Sequence, residues 1–144
     1  MKAIKLLTLL TALLALALYA QTVTYFPDTH QFSLDGSTYL SRISRDAVIA
    51  GPSWDTSKPV PVSFARAETV ARAELRKMVS DEPSWRVRSF AIVNLPRTSC
   101  WYYVVELSPT TRREKETTGF TVLIDLHGKP GHIEEGRLDS DDHR

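Results

Sequence analysis

The stretch Ser63-Phe64-Ala65-Arg66-Ala67-Glu68-Thr69-Val70-Ala71-Arg72-Ala73-Glu74-Leu75-Arg76-Lys77-Met78-Val79 decides the fold. Ala67, Val70, Ala71, Leu75, Met78 and Val79 recur at the three-and-four spacing of a helix with one buried stripe. Arg66, Thr69, Arg72, Ala73 and Arg76 fall on the opposite side. Ser63 is a good N-cap, because its hydroxyl can accept a bond from an orphan amide. Glu68 and Arg72 sit one helical turn apart with the acid first, the better orientation for an ion pair. Pro83, after Asp81-Glu82, is expected to stop the helix.

Three strands are expected downstream. Trp85 to Leu95 places Val87, Ala91, Val93 and Leu95 on one parity, and Pro96-Arg97-Thr98-Ser99 turns the chain. Cys100 to Leu107 carries Trp101, Tyr103, Val105 and Leu107 at alternate positions, which suits a sheet with a helix on one face. Pro109 to Gly119 is polar, and its run Arg112-Arg113-Glu114-Lys115-Glu116 reads as a solvated hairpin tip. Phe120 to Leu126 alternates Phe120, Val122, Ile124 and Leu126 inward, although Leu123 breaks the pattern and implies cover on the second face. Asp125 to Gly131 is a turn, and residues 134–144 read as an acidic, polar, frayed tail.

Upstream, Gln31-Phe32-Ser33-Leu34 and Thr38-Tyr39-Leu40 flank Asp35-Gly36, a hairpin signal. Val23-Thr24-Tyr25-Phe26 is a further short strand candidate. Arg45 to Ala50 ends at the breaker Gly51-Pro52. Lys58-Pro59-Val60-Pro61-Val62 reads as an extended connector, because its prolines remove two amide donors.

Residues 1–20 read as a cleavable signal peptide. Lys2 and Lys5 give a positive start, Leu6 to about Leu18 is apolar, and Ala20 ends a small-residue cut site. Leu18 occupies the position three before the cut. The apolar run is shorter than the roughly 20 residues of a spanning helix, so no stable membrane anchor is expected after cleavage. Of 144 residues, 124 would remain, and the net charge would pass from +1 to −1 with the loss of two lysines. That balance gives no electrostatic reason to expect nucleic acid as a partner. Cys100 is the only cysteine, so there is no internal disulfide and an apolar core must supply the stability. The domain reading is therefore 1–20 signal peptide, 21–62 extension with short strands and connector, 63–133 α+β domain, and 134–144 tail.

The helix Ala65-Arg66-Ala67-Glu68-Thr69-Val70-Ala71, the strand Trp101-Tyr102-Tyr103-Val104-Val105-Glu106 and the segment Phe120 to Lys129 together resemble a PepSY-type domain over about residues 63–133. In that family a helix precedes a tyrosine-valine strand, and a last strand leads into an Asp-x-x-Thr-Gly-Lys/Glu turn. Asp125, Gly128 and Lys129 match the turn, while His127 stands where the family has Thr. The loop between the second and third strands is long, and residues 21–62 have no counterpart in the family unit. The resemblance implies a PepSY/cystatin-like α+β fold with one main helix on an antiparallel sheet of three to five strands. It also implies a bacterial, secreted or periplasmic protein that binds or restrains peptidases or other extracytoplasmic proteins.

No catalytic, cofactor-binding or metal site is assigned. There is no G-x-S-x-G and no phosphate-binding loop, and Cys100 reads as an inert strand residue. His127 and His132 flank a turn near Glu134 and Glu135, and His143 lies in the tail, but two histidines without a firm third ligand make a weak metal signal. The run Asp139-Ser140-Asp141-Asp142 lacks the glycine and glutamate of a calcium loop. Trp85, Trp101, Tyr103 and Phe120 read as core, and Trp54 as a cap on the core edge or a recognition anchor. The expected function is a non-catalytic protein-binding module. Two alternatives stand beside it. One is a ligand-binding protein or enzyme with a helix–sheet cavity reached by His127 or Glu106, and the other is a subunit that dimerises through a sheet edge.

Overall fold

The computed structural model describes residues 28–138. The expected signal peptide, the Val23–Phe26 strand candidate, His143 and the run 139–142 lie outside the described residues. The fold is α+β, with two three-stranded antiparallel sheets rather than the single sheet expected. One sheet has the order β1-β2-β6, formed by Asp28–Leu34, Ser37–Ile43 and His132–Glu135. The other has the order β3-β4-β5, formed by Trp85–Asn94, Trp101–Pro109 and Phe120–Asp125. Among the described residues there are also two helices, α1 (Arg45–Ala50) and α2 (Phe64–Arg76), and a 3₁₀ turn (Glu82–Ser84).

Local chemistry explains the boundaries. Asp35 and Gly36 take φ of 52° and 86°, the left-handed pair that a two-residue hairpin turn requires. The Ser44 and Ser63 hydroxyls accept from Ala47 N and Arg66 N and cap α1 and α2. Helix α2 ends at Arg76, before the expected stop at Pro83. There the amides of Lys77 and Met78 bond back three residues, to Glu74 and Leu75, which tightens the last turn. Val79 is still buried, but from the coil beyond the helix.

The main core lies beneath α2. Ala67, Val70, Ala71 and Leu75 meet Tyr103, Val105 and Leu107 of β4, Phe120, Val122 and Ile124 of β5, and Phe32 and Leu34 of β1. A second cluster lies on the other side of the β3–β5 sheet, where Ile43 and Val48 meet Leu95, Tyr102, Val104 and Leu123. This second layer is why Leu123 is apolar.

Strand β3 departs from the expected parity. A bulge between Val87 and Ser89 leaves Arg88 unpaired in the ladder. Beyond it, Phe90 and Ile92 pack on the helix-side cluster with Val87, while Val93 joins the second cluster and Ala91 is exposed. One extra residue reverses which side chains face the core.

The segment read as a frayed tail starts instead with a strand. Glu134 and Glu135 pair with Leu40 and Tyr39 of β2. The approach is close, since a Cβ on Gly131 would run into the Arg42 carbonyl oxygen.

Replacing Leu75, which is fully buried, with Ala is expected to cost about 2–5 kcal/mol in urea unfolding. Ile49→Ala, at a side chain 45% exposed, should stay within about 0.5 kcal/mol of wild type. Gly131→Ala should lower stability by more than about 2 kcal/mol, because strand separation at Arg42 is needed to admit the methyl group.

Candidate protein-docking surface

Strand β3 is the edge of its sheet. It pairs with β4, and its other side has no backbone partner among the described residues. Helix α2 packs over β4 and β5, so the helix-side face of β3 is only partly covered. Phe90 and Ile92 on that face are half-exposed. Phe64, the first residue of α2, packs against Phe90 and remains 54% exposed. Its ring meets Phe90 edge-on at 5.5 Å and Tyr103 at 5.7 Å. Further along, Trp54 meets Trp101 edge-on at 5.3 Å. Trp54 is itself pinned, because its indole N–H donates to the Lys58 carbonyl at 2.8 Å and its amide donates to Ser99 O at 3.0 Å. Trp54 is thus the core-edge cap, and Phe64 is the exposed aromatic. The sequence signal for Phe64 is a large apolar residue in the first helical turn, off the buried stripe.

The β4–β5 loop borders this edge, and one member of its charge run is not a solvated side chain. Arg113 donates to both Asp35 oxygens, at 2.6 and 2.7 Å, and to Asp81 Oδ2 at 2.8 Å. Its guanidinium lies 5.5 Å from the centre of the Trp85 ring. The loop is thereby tied to the β1–β2 turn and to the chain beyond α2. Hydrogen bonds from Arg113 hold the Asp35 carboxyl below the usual range. Burial opposes this at Asp81, but hydrogen bonds from Ser84 and Arg113 and the Arg113 charge outweigh it, so this carboxyl is also lowered.

Other polar groups brace the frame. Glu82, nearly buried, accepts from Arg72 Nη1 at 2.7 Å and Arg76 Nε at 3.1 Å. The Arg72 bond holds its carboxyl below the usual range. Arg72 also keeps the expected pair with Glu68, at 2.8 Å. The Tyr102 hydroxyl donates to Asp28 Oδ2, which lies 2.9 Å from His30 Nε2. Burial, followed by the Asp28 charge, pushes the Tyr102 phenol well above its ordinary value.

The remaining residues singled out in the sequence are dispersed. Cys100 is a half-buried free thiol just before β4. His127 is exposed, and its Nε2–H donates to the Ala50 carbonyl at 2.9 Å. His132 is exposed and lies 3.4 Å from Glu134. Asp125 closes its turn by accepting from the amides of His127 and Lys129 at 2.9 and 2.8 Å. Glu106 accepts from Ser89 Oγ at 2.8 Å. Among the described residues, no group of three His, Cys, Asp or Glu is placed to hold a metal ion, and no helix is long and apolar enough to cross a membrane. Comparisons with protein-family models, with curated proteins and with solved structures return no match.

Removing the guanidinium with Arg113→Ala is expected to cost about 2 kcal/mol and to raise hydrogen exchange at the loop amides of Thr117 and Thr118. In the wild type, carboxylates lowered by folding stabilise above their unfolded value of about 4 and lose that contribution as pH falls through the folded value. Stability should therefore drop more steeply below about pH 4 in the wild type than in Arg113→Ala, as read by thermal melts.

Proposed function

We propose that this chain is a small exported domain without catalytic machinery that binds another extracytoplasmic protein and restrains it, as a peptidase-binding module would. The observation that carries the reading is the unpaired β3 edge beside the half-exposed face of Phe64, Phe90 and Ile92. An edge strand offers free amides and carbonyls to an extended chain, and pockets beside it select side chains. An exposed aromatic next to apolar neighbours is the composition of an interface anchor.

The order of α2, β3, β4 and β5 and the Asp125 turn support a PepSY-like reading of residues 63–133. The β1-β2-β6 sheet is an addition to such a unit and contributes Phe32 and Leu34 to the same core. The space between helix and sheet is filled by buried side chains, which favours surface recognition over a ligand held inside. A second copy is the weaker occupant of the β3 edge. The strand carries Arg86 and Arg88 and no acid, so two copies have no opposite charges to offer each other along it.

The purified mature protein should capture a defined extracytoplasmic protein from its own host, or slow a host peptidase. Phe64→Ala should weaken that complex at least about tenfold while leaving the melting curve unchanged. If the wild type captures nothing and slows no peptidase, the reading fails.

A further inference from the structure

We infer that the cleft at the bulged end of β3 receives an acidic, extended segment of the protein partner. The inference rests on the binding reading above and names the chemistry of what is bound. The cleft has a volume of about 850 Å³ and lies between β3, the end of β4 and the β4–β5 loop. Arg86 and Arg88 line one wall and Arg112 lines the other. All three side chains are exposed, and none has an ion pair or hydrogen bond within the described residues. Three guanidinium groups in one concavity are a strong carboxylate receptor, since each presents a planar fork of donors. Two acids, Glu114 and Glu116, and one further cation, Lys115, share the lining. Arg113 also borders the cleft but is already engaged with Asp35 and Asp81.

The receptor is held in shape before anything binds. Beside the Arg113 contacts, the loop forms backbone bonds from Thr118 N to Ser33 O at 2.9 Å and from Gly36 N to Glu116 O at 2.9 Å. The Thr117 and Thr118 hydroxyls accept from Asp35 N and Ser33 N. Rigid walls reduce the entropy lost on binding.

Carboxylate side chains of a polypeptide match the arginines of the cleft. No aromatic side chain lines it, whereas single-stranded nucleic acid is held largely by stacking on aromatic rings.

The test uses the mature protein and a fluorescein-labelled decapeptide of alternating Glu and Ser, with a Gln/Ser peptide as control. Anisotropy at low salt should show binding of the Glu peptide only, weakening steeply as salt is raised. The triple variant Arg86→Gln/Arg88→Gln/Arg112→Gln should bind it at least about tenfold more weakly, with a melting temperature within about 3 °C of wild type. Equal binding of the Gln peptide, or unchanged binding by the triple variant, overturns the inference. So does binding of a heparin oligosaccharide without the Glu peptide, which would make the occupant a sulfated glycan. A truncation after Leu138 removes the chain's own acids Asp139, Asp141 and Asp142. If the Glu peptide binds only to that shortened chain, the cleft serves the protein's own terminus and the partner inference falls. The host partner separates the two readings. Capture by wild type and triple variant alike would sink the acidic segment and spare the binding function. Peptide binding without any host partner would do the reverse.

Discussion

Strand β5 has no side left for water. Every residue from Phe120 to Asp125 is buried, with Phe120, Val122 and Ile124 under α2 and Leu123 against Ile43 and Val48. A strand of this kind must be covered twice, and a single helix covers only one face. The β1–β2 hairpin supplies the rest. Phe32 and Leu34 join the helix-side cluster, and Ile43 reaches the opposite one. The second sheet is a consequence of burying β5, because an uncovered apolar face beside a polar one would leave Leu123 and Val104 in solvent.

Covering β5 leaves β3 less protected. The helix is centred on β4 and β5, so Phe90 and Ile92 are only partly covered, Phe90 by Phe64 and Tyr103. The sheet thus has one strand, β5, buried on both faces, and at its opposite edge β3 with partial cover. The β4–β5 loop, held by Arg113 against Asp35 and Asp81, forms a fixed wall beside that edge. Stability and recognition are coupled here, since the ties that close the core over β1 and β5 also shape the cleft at β3.

The helix, the Asp35-Gly36 hairpin, β4 and β5 were legible because each rests on short-range patterning: a three-and-four stripe, a left-handed turn pair, or apolar residues at alternate positions. The bulge at Arg88 was not, because it changes no residue type and shows only when two strands are laid side by side. Strand β6 was hidden for a similar reason. His132-Ile133-Glu134-Glu135 is too polar to read as a strand, and its pairing depends on β2 lying alongside it. Of the candidate docking surface, the β3 edge and the three arginines, each without a partner among the described residues, could not be read in advance, since neither edge position nor absence of a partner is a property of composition.

The amino-acid sequence alone determined an α+β domain with α2 ahead of antiparallel strands and a core without disulfides. These follow from periodicity, turn chemistry and cysteine count, all local quantities. Tertiary structure decided that the strands divide into two sheets and that β3 is an edge with Phe64 beside it. It also decided that Arg113 is an internal tie while Arg86, Arg88 and Arg112 have no side-chain partner among the described residues. Each of these depends on which distant groups meet, and a guanidinium is a brace or a receptor according to whether a carboxylate more than thirty residues away in the chain is within reach.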